Sequence, residues 1–209
     1  MNHRDEEIIA NRQAMQQQQK KEMEQEEIER EKEESIFDGR IHLLGKEVAF
    51  ERRTFEEYGI SLLLPERFEE MEQDIKDAIY PYGKAPKHAF AGEDIPFQVT
   101  LNQTENIVPD EGMPKFMGIA KEVMERIGPQ AKIFSSICIQ KENIEKKMKN
   151  IGIMEIATKG ADGPVFNTQF YISSREQKMI IGGITCQGKR HDRMVPVMKE
   201  IIDSIEILY

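Results

Sequence analysis

The sequence predicts an α+β protein, with an antiparallel sheet of five to seven strands covered by helices and preceded by a long, highly charged N-terminal helix. Strand-like runs of alternating apolar residues recur through the second half of the chain. The turns between them are too short for parallel crossovers, which need a dozen or more residues. Three segments repeat apolar residues every three or four positions, which predicts helices that cover the sheet.

The 209 residues are enough for one ordinary domain and an appendage. Residues 1–35 carry six basic and eleven acidic side chains, so more than half of the net charge of −9 lies in this segment. We therefore expect a charged helical extension over residues 1–35 and a single α+β domain over residues 36–209.

Residues 5–34 contain no glycine or proline and consist mostly of good helix formers, which predicts one long helix. Its few apolar residues are spaced irregularly and lack the three-four alternation of a coiled-coil seam. Two interpretations stay open. The helix is either solvated and held by pairs four residues apart, or it binds a partner or a second copy, which would make the protein a homo-oligomer through this helix.

Composition excludes several classes of function. The isoelectric point is near 5.1 and no stretch is purely basic, which argues against nucleic acid as a partner. No window approaches 18 consecutive apolar residues, and the first residues lack the apolar region of a secretion signal. We expect no membrane span and a cytoplasmic protein, in which Cys138 and Cys186 are reduced thiols.

In the first half of the domain, residues 48–55 and 58–64 predict a hairpin of two strands, the second ended by Pro65. Residues 68–79 place apolar side chains at gaps of three and four and acidic side chains opposite, which predicts an amphipathic helix with a solvated acidic face. Residues 97–102 alternate strictly between apolar and polar, which predicts a strand with one buried face.

In the second half, acidic residues and Pro114 mark a helix start near residue 110, and Gly128 marks its end. The last element is a helix with Asp192 as the predicted N-cap, running to about residue 205. Between these helices the sequence predicts an antiparallel meander of four strands, over residues 132–140, 150–158, 165–173 and 178–187.

Catalytic machinery is not evident in the sequence. The closest nucleophile and base are Cys186 and His191, but Cys186 falls on the apolar side of its strand, so we expect an inert buried thiol. We expect the same of Cys138, which alternation places on the face of Phe134. An enzyme would need a site assembled from distant residues, with His88, His191 and carboxylates as its candidates.

The sequence also predicts no metal or cofactor site. The four histidines stand far apart, whereas zinc sites need cysteine and histidine at short, repeated spacing. Residues 182–183 are two glycines inside a strand, which we interpret as a bulge or as close packing beneath a helix. A phosphate cradle would need a glycine loop that opens directly into a helix.

Residues 80–90 form the most unusual surface segment, because aromatic residues, prolines and lysines alternate there in a semi-rigid, amphipathic loop. The alternative is that its aromatic residues only pin the loop onto the sheet. The candidate residues for binding a protein partner are Tyr80, Tyr82, Lys84, Lys87 and Phe90.

Residues 58–65 (YGISLLLP) and 196–205 carry a family resemblance. With the order of elements between them, they make residues 58–208 similar to the PsbP-like, Mog-type fold of photosystem accessory proteins, Ran-binding Mog proteins, DcrB-like bacterial proteins and Eag-type secretion chaperones. Phe68 stands where such domains often carry tryptophan, and the charged helix has no counterpart. The resemblance implies a non-enzymatic, partner-binding role as an accessory, assembly or chaperone factor. The rival hypotheses are the enzyme above and a structural, oligomerising subunit.

Overall fold

The structure, a computed structural model, describes residues 34–80, 85–128 and 130–209, together with scattered positions between 15 and 33. Those scattered positions are exposed and have helical backbone. Most of the predicted N-terminal helix lies outside the described residues, so the continuous helix stays a prediction. Within the described part of the chain, no helix is both long and apolar enough to cross a membrane.

The strands form two antiparallel sheets rather than the single sheet expected. The predicted hairpin is confirmed, and its turn contains Gly59 at φ +64°. The ring of Tyr209 packs directly on Gly59, where a Cβ atom would lie 2.7 Å from the ring. The smaller sheet has the order β1-β2-β3-β11, with β1 Arg40–Leu43, β2 Lys46–Phe55, β3 Ile60–Pro65 and β11 Glu206–Ile207.

The larger sheet has seven strands and contains the predicted meander of four strands, which is confirmed. The predicted strand that begins at Phe97 pairs with the last strand of the meander, which therefore lies in the middle of the sheet. The order is β4-β5-β6-β10-β9-β8-β7, with β4 Glu69–Glu70, β5 His88–Ala91, β6 Phe97–Ile107, β7 Lys132–Glu142, β8 Met148–Gly160, β9 Gly163–Ser173 and β10 Lys178–Gln187.

Three helices follow the predicted positions, with corrections at their ends. They are α1 (Gln73–Ile79), α2 (Met113–Ile127) and α3 (His191–Asp203). The helix predicted from residue 68 begins only at Gln73, because Glu69–Glu70 pairs with β5 instead. The predicted N-cap Asp192 already lies inside α3, one residue after its start.

The prediction that the apolar side of α1 is buried was wrong. Ile75 and Ile79 are each 47% exposed, whereas Lys76 is only 7% exposed. The Lys76 ammonium donates to the carbonyl of Lys87 at 3.1 Å and lies 3.6 Å from a Glu70 carboxylate oxygen. A seven-residue helix buries little surface, so these polar contacts decide its orientation.

Two apolar clusters lie on opposite faces of the larger sheet. One contains the smaller sheet and α3, and alternate β9 residues such as Phe170 and Ile172 point into it. The other lies under α2 and is rich in methionine, with Tyr171 pointing into it from the same strand. This alternation places α2 on one face of the larger sheet and α3 on the other.

Candidate functional site

A concave, apolar groove runs along one side of α3. The helix packs over the middle of the larger sheet and leaves part of the outer strands β7 and β8 uncovered on that face. The resulting groove has a volume of about 700 Å³. Val195, Met198 and Ile202 of α3 form one wall. The floor is formed by side chains of β7, β8 and β9, namely Phe134, Ile137, Ile139, Ile153 and Phe166.

An irregularity in β7 shapes the groove floor. The pairing of β7 with β8 shifts register between Ile133 and Ser135, so one extra residue is inserted there. Phe134 consequently lies on the groove side with Ile137, while Ile133 and Cys138 pack against the cluster under α2. The prediction that Cys138 shares the face of Phe134 was wrong, because simple alternation does not pass through a bulge.

The groove exposes large apolar side chains to solvent. Phe134 is 50% exposed, Ile137 is 49% exposed and Val195 is 38% exposed. The Phe134 ring stacks on Phe166 with centroids 5.8 Å apart, and Phe166 stacks on His191 at 3.6 Å. Contiguous exposed apolar side chains of this kind mark interaction sites on folded proteins.

Charged groups of both signs surround the apolar floor. Lys199 and Asp203 of α3 and Glu155 of β8 line the groove. The Lys132 ammonium lies 4.8 Å from the centre of the Phe134 ring, within the range of a cation–π contact. A polar rim around an apolar centre is the usual anatomy of a protein–protein interface.

His88 lies outside the groove, in a network of polar contacts with two glutamates. Its Nε2 is 2.7 Å from Glu57 Oε1, and its Nδ1 is 3.1 Å from Glu70 Oε1. The Glu57 carboxylate also contacts the Lys87 ammonium at 2.9 Å. The hydrogen bonds from Lys87 and His88, in that order, lower the pKa of Glu57 to about 2. Both ring nitrogens of His88 are thus engaged with carboxylates, which suits a structural role better than proton transfer to a substrate.

The thiols do not form a reactive site. Cys186 is 2% exposed, and burial raises the pKa of its thiol to about 11. Cys138 is half-buried, and burial also raises the pKa of its thiol. Both are free cysteines, and His191 stacks on Phe166 at the groove. Within the described residues, no group of three histidine, cysteine or acidic side chains could hold a metal ion.

The structure describes only part of the predicted binding loop. Tyr80 is half-buried, and its hydroxyl accepts a hydrogen bond from Gln98 Nε2 of β6 at 3.1 Å. Phe90 is buried in the core, and Lys87 pairs with Glu57. Tyr82 and Lys84 lie outside the described residues. Partner binding by this loop stays a prediction.

The groove residues were not predicted as a binding surface from the sequence. A signal was present, because residues 133–140 (IFSSICIQ) contain no charged side chain and carry apolar residues on both alternating faces. That composition is typical of a strand covered on both faces, yet the groove side is half open. The uncovered face depends on where α3 packs, which local sequence does not encode.

Comparison with protein-family models and with curated protein sequences gave no match. Among solved structures, CyanoP, the PsbP protein of Synechocystis sp. PCC 6803, matches with a TM-score of 0.53 at 13% identity, covering 76% of this chain and 92% of CyanoP. LpqN of Mycobacterium tuberculosis, involved in cell envelope biogenesis, has a TM-score of 0.47 at 11% identity, over 78% of this chain and 92% of LpqN.

The Ran-binding protein Mog1p of Saccharomyces cerevisiae has a TM-score of 0.44 at 6% identity, over 77% of this chain and 96% of Mog1p. At identities this low, structural likeness concerns the fold alone. The match to CyanoP confirms the resemblance at that level, and this chain has a PsbP-like fold.

Proposed function

We propose that this protein is a non-enzymatic, cytoplasmic protein-binding module that acts as an accessory, assembly or chaperone factor. Its docking surface is the groove between α3 and the outer strands of the larger sheet. The observation that carries the proposal is the group of half-exposed apolar side chains on one concave surface, Phe134, Ile137 and Val195. Burying such side chains against a partner is favourable by about 25 cal/mol per Å² of apolar surface.

The occupant that fits the groove is an amphipathic helix of a partner protein. Two neighbouring strands are together about 10 Å wide, and an α-helix with its side chains is about 10–12 Å in diameter. One helix can therefore lie beside α3 over β7 and β8. Its apolar face would meet Phe134 and Ile137, and its polar flanks would meet the rim charges Lys199 and Glu155.

A photocrosslinking experiment tests this surface. A photoreactive amino acid is placed at Ile137, and matched controls carry it at Ile144, an exposed isoleucine in the turn after β7, and at Lys87 in the predicted loop. We expect the photoreactive residue at position 137, but not the one at position 144, to crosslink one partner protein. Capture from Lys87 instead would assign binding to the loop and overturn the groove.

Reconstitution with the purified partner completes the test. Ile137→Glu places a charge on the apolar floor, and we expect binding to weaken by at least about tenfold, as for loss of an interface residue worth more than about 1.4 kcal/mol. Ile144→Glu changes an isoleucine that is more exposed, and we expect wild-type binding. Equal binding by both variants would contradict the proposed site.

A further inference from the structure

A group of sulfur-bearing side chains lies under α2, on the face of the larger sheet opposite the groove. Met113 and Met117 of α2 are almost fully buried, and Cys138 of β7 packs against the same cluster. The two methionines are four residues apart, so they lie on the same side of the helix, one turn from each other. Both side chains point towards the sheet beneath the helix.

Gly152 of β8 lets three sulfur atoms approach one another. It is paired directly with Cys138, and a Cβ atom at Gly152 would overlap Met117 Sδ and lie 3.4 Å from Met113 Sδ. Residues directly opposite in an antiparallel pair have Cβ positions about 4.5–5.5 Å apart on one face of the sheet. Both thioethers therefore reach down to the sheet beside the Cys138 side chain.

We propose that Cys138, Met113 and Met117 form a binding site for Cu(I). Thiolate and thioether sulfurs are soft ligands, which select Cu(I). The thiolate of Cys138 neutralises the single positive charge of the ion, and the two thioethers add no charge. The bound site is therefore neutral, which suits the apolar cluster around it, whereas a divalent ion would leave a positive charge buried there.

The ion can reach this site from the edge of the sheet. β7 is an edge strand, and Cys138 is only half-buried. Its Sγ lies 3.9 Å from Asn150 Oδ1, too far for a strong hydrogen bond, so rotation about the Cα–Cβ bond turns the thiol towards the flexible methionines. On binding, the S–H bond of Cys138 is replaced by a sulfur–copper bond. The proton passes to the buffer, and the copper stays Cu(I).

Anaerobic titration of the full chain with Cu(I), in competition with the chelator bicinchoninate, tests the site. We expect one tightly bound Cu(I) per chain. Met113→Leu and Met117→Leu conserve volume and remove one thioether each, and we expect each to lower the affinity by roughly tenfold or more. The matched control is Met124→Leu, on the same helix and against the same cluster but about 10 Å beyond Met117, which should bind as the wild type does.

X-ray absorption at the copper edge identifies the ligands in the wild-type complex. We expect sulfur neighbours alone, and nitrogen or oxygen neighbours would overturn the proposal. Failure of the wild type to compete with the chelator would overturn it too. So would unchanged affinity in a variant that combines Met113→Leu with Met117→Leu, or an equal loss in Met124→Leu, because the loss would then come from disturbed packing. None of these outcomes concerns partner binding in the groove, on the other face of the sheet.

Discussion

Gly182, in the central strand β10, provides the sharpest test of the packing described above. Its cross-strand partner is Phe170, whose fully buried ring lies over the glycine. A Cβ atom at Gly182 would lie 1.9 Å from Phe170 Cζ, far inside van der Waals contact. Gly182 is therefore a site of close packing, as one of our interpretations held, but beneath an aromatic ring rather than beneath a helix.

Gly182→Ala forces the Phe170 ring out of a fully packed position. Overpacking of this kind costs about 1–3 kcal/mol, and a fully buried aromatic ring favours the upper end, about 3 kcal/mol. The adjacent Gly183→Ala is the matched control, because its Cβ would lie 3.1 Å from Thr100 Oγ1, a side chain that can adjust. We expect Gly183→Ala to change the free energy of unfolding by less than about 1 kcal/mol, helped by the reduced entropy of the unfolded chain.

Urea unfolding followed by far-UV circular dichroism measures the difference, since the chain has no tryptophan for fluorescence. For a chain of this size, about 3 kcal/mol corresponds to a fall in Tm of roughly 6–12 °C. Phe170→Leu in the Gly182→Ala background should recover part of the loss, seen as a coupling energy in a double-mutant cycle. Equal losses for the two alanine variants would refute the reasoning.

Three further predictions concern the polar groups. Lys76→Met keeps the aliphatic stem but removes an ammonium that bonds a carbonyl, so urea unfolding should show a loss of about 1–2 kcal/mol, whereas Ile75→Ala at the neighbouring exposed position should change little. The folded pKa of Glu57, about 2, lies below its ordinary 4.5, so its stabilisation is complete above pH 4.5 and is lost as pH falls towards 2. Unfolding midpoints of Glu57→Gln should therefore fall less steeply than those of the wild type over that range; parallel pH profiles would contradict this. Thiol labelling of the folded protein at pH 8, located by mass spectrometry, should modify Cys138 well before Cys186, and equal rates would show that Cys186 is not buried.

The elements that the sequence predicted well are those whose signals are local. The four meander strands are joined by short turns, so their antiparallel order follows from chain connectivity alone. The missed strands, β1, β4, β5 and β11, are short, with two to four residues each. Glu206–Ile207 becomes a strand only because it pairs with β3, about 145 residues earlier in the chain. Two residues carry no periodicity from which such pairing could be predicted.

The candidate site was less predictable than the fold. The loop at residues 80–90 drew attention through its composition, yet Phe90 is part of the core and Tyr80 contacts β6. The groove depends on the bulge beside Phe134 and on the position of α3 over the sheet. Neither feature can be read from a single sequence. A one-residue insertion moves every following side chain to the opposite face, so alternation counted along the sequence assigns the wrong face beyond the bulge.

The uncharged run of β7 has no explanation within the isolated chain. A central strand lacks charge because both of its faces and both of its edges are covered, but β7 lies at the edge of the sheet. Phe134 and Ile137 each keep about half of their surface in solvent, so core packing alone does not account for apolar residues at these positions. A partner helix in the groove would cover this face of β7 and bury both side chains.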